Sequence, residues 1–244
     1  MKKIVSLIIA TLLIVACFAG CGAKQEELVM CTNPAFPPYE FVDDNGEIVG
    51  IDAEIAAAIA EKLNKKLVIK DMAFESLIPA VQGGSADFAM AGMTVTDERK
   101  LSVNFSNTYA KGIQTIVVKE GSNVTIDNMG NFTIGVQSGT TGDIYCTDDF
   151  GQDHVKQYEN APLAIAALVN GQVDCVVIDN EPAKNFAKTN EGLKLLETAY
   201  SEEDYAIAIN KENTQLLSDI NKALDELKAD GTIDKIITKY IPAE

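Results

Sequence analysis

The sequence has few of the side chains on which catalytic and metal sites most often depend. His154 is the only histidine and Arg99 the only arginine among the 244 residues. No GxSxG, HExxH or Walker motif occurs, and the five cysteines, an odd number, show no CxxC spacing. These absences argue against the corresponding enzyme classes, a disulfide framework and a zinc site. We therefore expect no enzyme, no metal and no cofactor, and we expect His154 to lie in a solvated loop.

Basic residues are also scarce, since 20 Lys and Arg face 36 Asp and Glu, which gives a net charge of −16. Without Lys2 and Lys3, which belong to a removable N-terminal segment, 18 basic residues remain and the net charge becomes −18. A surface of this charge repels nucleic acid and anionic lipid. The acids are spread along the chain, which is typical of a solubilising surface. We expect no nucleic-acid partner.

The N-terminus has the pattern of a secretory signal peptide. Lys2 and Lys3 precede an apolar run, residues 4–18, that is interrupted only by Ser6 and Thr11. The run is shorter than the ~20 apolar residues that a membrane-spanning helix requires. We therefore interpret residues 1–21 as a cleaved signal, so that the mature protein works outside the cytoplasm.

A cysteine at the end of this segment adds a second prediction. The sequence Phe18-Ala19-Gly20-Cys21 resembles the lipobox of bacterial lipoproteins, and Ile14-Val15-Ala16-Cys17 also fits that pattern. We favour Cys21 as the lipidated residue over Cys17, and ordinary cleavage that leaves a free cysteine is the alternative. Lipidation would anchor the protein to the membrane, with residues 22–27 as a tether.

Strand-like and helix-like segments alternate along the mature chain, which predicts an α/β fold with mainly parallel sheets. Asp52 is expected to cap the first helix. Cys31 and Cys175 lie in apolar strand-like runs and are expected to be buried free thiols, whereas the acidic run 202–204 is expected to be a solvated turn. The predicted strands are residues 28–32, 66–72, 86–92, 131–137, 154–158, 173–178 and 204–209. The predicted helices are residues 52–63, 76–82, 140–145, 162–169, 181–188 and 214–227, with a short one after Asp230-Gly231.

The alternation restarts after Glu120, which indicates two lobes. We assign residues 28–109 and 206–244 to lobe one and residues 114–202 to lobe two, with hinge crossings at 110–113 and 203–205. Ligands of open α/β sheets bind at the carboxyl ends of the strands. Two lobes that face each other would therefore form a binding cleft.

Several motifs, in order along the mature chain, resemble those of one known family. They include CTNPAFPPYEF (31–41), AGMTVTDERK (91–100), IGVQSGTTGDIY (134–145) and VDCVVIDNEPA (173–183). This pattern is similar to the polar amino-acid-binding proteins of ABC transporters, the family of the glutamine and the lysine/arginine/ornithine receptors. The resemblance implies a two-lobed, periplasmic-binding-protein-like (type II) fold with two crossovers. It also implies a monomeric lipoprotein that captures a free L-amino acid by hinge closure and delivers it to a membrane permease with its ATPase.

The chemistry of such a ligand points to particular residues. A free amino acid presents a carboxylate and an ammonium group, and both need partners when they are buried. Arg99 offers a planar fork that matches a carboxylate. The segment 138–142 joins a strand to a helix, where backbone N–H groups attract an anion. Thr140 and Thr141 are therefore candidate ligand residues, although Thr140 can also simply cap the helix.

The family resemblance adds further roles. It implies that the Gly92 carbonyl faces the ammonium group, that Thr94 contributes a hydroxyl and an N–H, and that Asp179 supplies the countercharge. The alternative for Asp179 is that it is only a helix cap. The resemblance also implies that Phe36 and Phe74 are aromatic walls, and the alternative for both is plain core.

The choice of amino acid depends on two positions. Glutamine receptors have an acid on the first strand and a lysine after the first strand of lobe two, whereas this sequence has Asn33 and Gln137. Two uncharged amides favour a neutral polar ligand. A cationic ligand is the competing interpretation, because related receptors bind arginine and lysine and the acidic protein attracts cations. Acidic ligands fit least, because no lysine occupies these positions.

Two other functions are alternatives. One is an enzyme similar to the cyclohexadienyl dehydratases of the same superfamily, which would need a general acid or base in the pocket. We find no carboxylate besides Asp179 that the resemblance places there. The other is an amino-acid sensor that reports to a membrane kinase, which the absence of a fused signalling domain makes the weaker interpretation.

Overall fold

A computed structural model describes residues 25–197 and 199–242. The predicted signal peptide, with Cys17 and Cys21, lies outside the described residues. The strands are β1 (Glu27–Thr32), β2 (Ala35–Phe36), β3 (Glu40–Val42), β4 (Ile48–Val49), β5 (Lys66–Asp71), β6 (Phe88–Ala89), β7 (Val103–Phe105), β8 (Ala110–Lys119), β9 (Ile134–Gln137), β10 (Val155–Tyr158), β11 (Cys175–Asp179), β12 (Leu193–Leu195), β13 (Ser201–Tyr205) and β14 (Ala208–Asn210). The α-helices are α1 (Ile51–Lys62), α2 (Leu77–Gln82), α3 (Asp97–Ser102), α4 (Thr141–Phe150), α5 (Ala161–Val169), α6 (Asn180–Thr189), α7 (Thr214–Ala229) and α8 (Thr232–Tyr240).

The first lobe is built on a five-stranded sheet with the order β5-β1-β6-β14-β7. Helix α1 buries Ile51, Ile55 and Ile59 against this sheet, a spacing that places all three on one helical face. Helix α7 begins at its cap Asn213 and buries its own apolar face in the same core, which also includes Ile233 of α8. A small sheet, β2-β3-β4, lies beside this lobe.

The second lobe is built on a six-stranded sheet in which β10-β9-β11-β8-β12 are adjacent and β13 also pairs with β8. Its two faces carry separate cores. On one face, Ile165 of α5 and Ala183 of α6 pack with Val176. On the other, Cys146 of α4 packs with Ile116. The sheet is therefore covered by helices on both sides, as in other α/β layers.

The prediction of mainly parallel sheets is only partly right. Strand β1 is parallel to both neighbours, β5 and β6, and β9 is parallel to β10 and β11. Strands β8 and β14 instead pair antiparallel with every neighbour. A parallel neighbour requires a crossover connection, usually a helix, and β14 enters its sheet directly from the other lobe.

The predicted single strand over residues 204–209 is wrong. Residues 201–205 form β13 in the second sheet, whereas 208–210 form β14 in the first. Between them the backbone of Ala206 donates to the Met93 carbonyl at 3.1 Å. The run contains no Gly or Pro that could mark the break, because the break is set by two different sheets competing for the same backbone.

The predicted hinge crossings lie in one antiparallel ladder. Strand β8 pairs with β13 from Ala110 opposite Tyr205 to Gln114 opposite Ser201. Both connections between the lobes therefore run side by side. Their action as a hinge, and the lobe boundaries, stay predictions.

Two further sequence predictions concern the cysteines and His154. Cys31 and Cys175 are buried free thiols, as expected, and Cys146 is another. His154 lies, half-buried, in a short 3₁₀ turn before β10 rather than in an open loop. Within the ranges described, we find no helix long and apolar enough to cross a membrane.

Candidate functional site

A cavity lies between the two sheets, where several strands end and helices begin. The carboxyl ends of β9 and β11 lead into α4 and α6, and the first turn of α5 lies beside them. All ten residues that the sequence suggested for ligand binding line this one cavity: Asn33, Phe36, Phe74, Gly92, Thr94, Arg99, Gln137, Thr140, Thr141 and Asp179. Their position is a geometric fact, and their contact with a ligand stays a prediction.

Arg99 is held in place by both lobes. Thr96 caps the short helix α3 by accepting from the Arg99 backbone N–H at 3.1 Å, so Arg99 lies in the first turn of that helix. The guanidinium Nη1 donates to the Thr94 carbonyl at 2.7 Å and Nη2 to the Gly139 carbonyl at 3.0 Å. The Arg99 Cζ atom lies 5.3 Å from the centre of the Phe74 ring.

The charge of Arg99 is buried without a carboxylate partner. The side chain is 7% exposed, and in residues 25–197 and 199–242 no acid forms an ion pair with it. Burial lowers the pKa of the guanidinium, and the nearby Glu203 opposes that shift. Since arginine still stays protonated, the cavity contains a fixed cation that is bonded only to neutral carbonyls.

Thr140 does cap α4, as the alternative held. Its Oγ1 accepts from the Asp143 N–H at 3.4 Å and donates to the Gln137 carbonyl at 2.8 Å. Gly139 has a φ of +75° and donates its N–H to Asp143 at 3.0 Å. The loop is therefore organised by hydrogen bonds within the protein, and Thr141 Oγ1 lies 3.5 Å from Thr94 Oγ1 across the cleft.

Asp179 is also a helix cap, and it is more than that. Its Oδ1 accepts from the Glu181 N–H at 3.1 Å, while Oδ2 accepts from the Ile113 N–H at 2.9 Å and the Tyr205 hydroxyl at 2.6 Å. Burial raises the pKa of the carboxyl to about 6, and these three hydrogen bonds act against that rise. Within the described part of the chain no basic side chain pairs with Asp179.

Gly92 is hydrogen-bonded to an acid that lies far from it in the chain. Its φ is +51°, a region that favours glycine, and its N–H donates to Asp52 Oδ2 at 2.8 Å. A Cβ at this position would lie 3.0 Å from the Phe36 ring. The predicted capping role of Asp52 is wrong, because Gly50 is the cap of α1 and Asp52 is buried within the first turn.

The hydroxyl of Thr94 donates to Glu203 Oε2 at 2.8 Å, and Gln114 Nε2 donates to the same oxygen at 3.0 Å. The hydroxyl proton of Thr94 therefore points to Glu203. The hydroxyl oxygen can still accept a hydrogen bond from a ligand, but the group cannot donate one. Glu203 is 6% exposed on β13. The expectation of a solvated turn over 202–204 is wrong, because the alternation of the strand turns Glu203 inwards.

An amide pair joins the lobes in the same cavity. Gln137 Nε2 donates to Asn33 Oδ1 at 3.0 Å, and Asn33 Nδ2 donates to the Met72 carbonyl at 3.1 Å. The aromatic residue Phe36 stacks on Tyr39 with ring centres 5.8 Å apart. Phe36 packs against the cores of both lobes and also lines the cavity, so the alternatives of wall and core are compatible.

Sequence reasoning missed one acid in the cavity. Glu40 on β3 is 1% exposed and lines the same space. The family resemblance placed only Asp179 among the carboxylates of the pocket, and the structure adds Glu40. The sequence did contain an indication of this burial, since Glu40 lies between the aromatic residues Tyr39 and Phe41. An acid is almost never fully buried unless it is paired. Tyr205 and Gln114 were missed as well.

The sequence profile described as bacterial extracellular solute-binding proteins, family 3, matches residues 28–243. The chain belongs to this family. Family membership implies an extracytoplasmic location, and it confirms the resemblance drawn from the motifs.

Known family members support this assignment. A probable histidine-binding protein of Neisseria gonorrhoeae is 34% identical over 222 residues, which cover 88% of this chain and 83% of the relative. The glutamine-binding protein GlnH of Bacillus subtilis is 31% identical over 273 residues and is covered completely, as is this chain. The solved structure of an ancestral arginine-binding protein bound to glutamine is 41% identical, with a TM-score of 0.85 over 90% of this chain and 99% of that one. These relatives are named as binding proteins, which is consistent with a non-enzymatic family member.

Proposed function

We propose that this family member is the substrate-binding component of an ABC importer and that it captures a free L-amino acid between its lobes. The observation that carries the proposal is the pair of buried, opposite charges in one cavity. Arg99 and Asp179 are 7% and 1% exposed, and within the described residues neither has an oppositely charged side chain as ion-pair partner. Buried charges without partners are costly. A free amino acid supplies a carboxylate for one and an ammonium for the other.

Closure of the lobes would complete the site. Arg99, Gln137 and Thr141 each make a contact that crosses from one sheet to the other. A ligand held by both lobes favours the closed arrangement, and the adjacent crossings 110–113 and 203–205 would act as the hinge. Small-angle scattering should show a more compact protein at saturating ligand. Identical profiles with and without ligand would contradict hinge closure.

The side chain of the ligand is the finer part of the proposal. The Asn33–Gln137 amide pair supports a neutral polar amino acid, because both groups donate and accept without charge. The relative described as an ancestral arginine-binding protein supports the cationic alternative by its name, and its bound glutamine supports a neutral ligand. We place neutral polar ligands first and basic ligands second.

A thermal-shift screen of the free L-amino acids tests the function. A ligand that binds only the folded protein raises the melting temperature, by an amount that grows with concentration over the Kd. We expect the largest shift with a neutral polar amino acid and none with peptides or deaminated analogues. A shift with the deaminated analogue would contradict the ammonium role of Asp179. Recovery of the bound amino acid chemically unchanged distinguishes a receptor from a dehydratase.

We further propose that Cys21 carries the lipid anchor. The proposal rests on the lipobox-like sequence that precedes it. Metabolic labelling with a fatty acid should be lost in Cys21→Ala and retained in Cys17→Ala, which is the matched control. The reverse pattern would assign the anchor to Cys17.

A further inference from the structure

Two buried acids meet next to the cavity. Glu40 on β3 and Asp52 in the first turn of α1 are 1% and 0% exposed. Asp52 Oδ2 accepts from the Gly92 N–H and from the Tyr109 hydroxyl, each at 2.8 Å. The other Asp52 oxygen, Oδ1, and Glu40 Oε2 are buried and receive no hydrogen from any described protein donor. The two acids are neighbours in space, since the Asp52 backbone N–H donates to the Tyr39 carbonyl at 2.9 Å, and each carboxyl group interacts with the other as a side-chain hydrogen-bond partner.

Two carboxylate oxygens can form such a contact only if one of them carries a proton. The charged groups that affect the pKa of Glu40 are the acids Asp52 and Asp179, and both raise it. No basic side chain is among them. Tyr39 and Tyr109 are the other titratable groups that face the pair, and both are neutral phenols at physiological pH. Burial and the charge of Asp52 raise the pKa of Glu40 well above its usual range. Burial also raises the pKa of Asp52 to about 7, against the hydrogen bonds that Asp52 accepts.

We propose that Glu40 stays protonated at neutral pH and, by donating this proton to Asp52, acts as a positioning residue that fixes the Gly92 peptide at the cavity. The chain of contacts runs from Glu40 through Asp52 to the Gly92 N–H. It holds a glycine with a φ of +51°, at which a Cβ atom would lie 3.0 Å from the Phe36 ring. Only the consequence for ligand affinity rests on the proposed amino-acid site.

The competing role for Glu40 is an ionised group that binds a cationic ligand side chain directly. The two roles differ in charge, so a neutral isostere separates them. The side-chain amide introduced by Glu40→Gln would keep a donor towards Asp52 at every pH. Glu40→Ala removes the donor. Glu47→Gln is the control, because it makes the same chemical substitution at an acid that is exposed in the nearby turn.

Two measurements need no ligand. Infrared spectra at pH 8 should show the band of the protonated Glu40 carboxyl group in the wild type and in Glu47→Gln. This band should be missing in Glu40→Gln. Hydrogen exchange of the Gly92 amide should be unchanged in Glu40→Gln and at least tenfold faster in Glu40→Ala. Absence of the band in the wild type, or equal Gly92 protection in all variants, would overturn the proposal.

The stability of the protein should depend on pH. A folded state that keeps protons which the unfolded chain has released loses stability as pH rises. The urea midpoint should therefore fall between pH 6 and pH 9 in the wild type and in Glu47→Gln, and fall less in Glu40→Gln.

Calorimetry with L-glutamine and L-arginine at pH 7 should give affinities for Glu40→Gln within threefold of the wild type. A tenfold loss for L-arginine alone would instead assign Glu40 to direct binding. If neither probe binds the wild type, the amino-acid site fails, while the infrared and exchange results still decide the acid pair.

Discussion

The cavity contains two kinds of polar group that the fold treats differently. The charged groups, Arg99 and Asp179, are held by backbone carbonyls, backbone N–H groups and a tyrosine hydroxyl. In the amide pair, by contrast, Gln137 donates a hydrogen bond to Asn33 across the cleft. Every free amino acid has the same carboxylate and ammonium, whereas its side chain varies. We therefore expect the charged groups to set whether an amino acid binds, and the amide pair to set which one.

The largest effect is expected from Arg99→Ala. Removal of one partner of a buried charge pair costs about 2–5 kcal/mol, so affinity for every amino acid should fall by at least ~30-fold. Calorimetry with the ligand from the thermal-shift screen measures this. Lys100→Ala is the control, since Lys100 is an exposed neighbour paired with Asp97. Affinity that survives Arg99→Ala would remove the main support for the amino-acid site.

A smaller loss is expected from Asp179→Asn, because the variant removes the charge but keeps one of the two accepting oxygens. An asparagine oxygen that keeps the helix cap at Glu181 leaves the Ile113 N–H facing an NH2 group. We therefore expect a stability loss of about 1–3 kcal/mol, measured as a lower melting temperature, and a fall in affinity of at least about tenfold. Asp179→Ala should lose the same affinity and, in addition, about 1 kcal/mol of stability from the missing cap. If Asp179→Asn binds normally, Asp179 is only a helix cap.

The smallest effect is a change of preference, which Asn33→Asp should produce. An added carboxylate in the amide pair favours a basic side chain over a neutral one, and we expect the ratio of the two affinities to shift by about tenfold, or ~1.4 kcal/mol. Asn45→Asp in an exposed turn adds the same charge at a distance. Equal ratios in both variants would mean that the amide pair does not face the ligand side chain.

The sequence alone predicted every helix except α3, and the ten residues that it proposed for ligand binding all line the cavity, whereas strands such as β8 and β12 were not predicted. Helix α7 and its end at Asp230-Gly231 follow from apolar spacing and a glycine in the left-handed region. The cap at Asp179 and the one at Thr140 follow from their place between a strand and a helix. These features depend on neighbours within a few residues, which is why a pattern can show them.

Tertiary structure decided what depends on distant partners. Strand 204–209 divides because two sheets compete for one backbone, and no residue in the run marks the place. The buried acids Glu40, Asp52 and Glu203 have partners that include Tyr109, Thr94 and Gln114, which lie far away in the chain. An acid is exposed by default because burial of its charge is costly. Only the folded chain brings the donors that reverse that default, so the sequence determined the elements and the charged cleft, and the packing of the lobes determined which carboxyl groups are enclosed there.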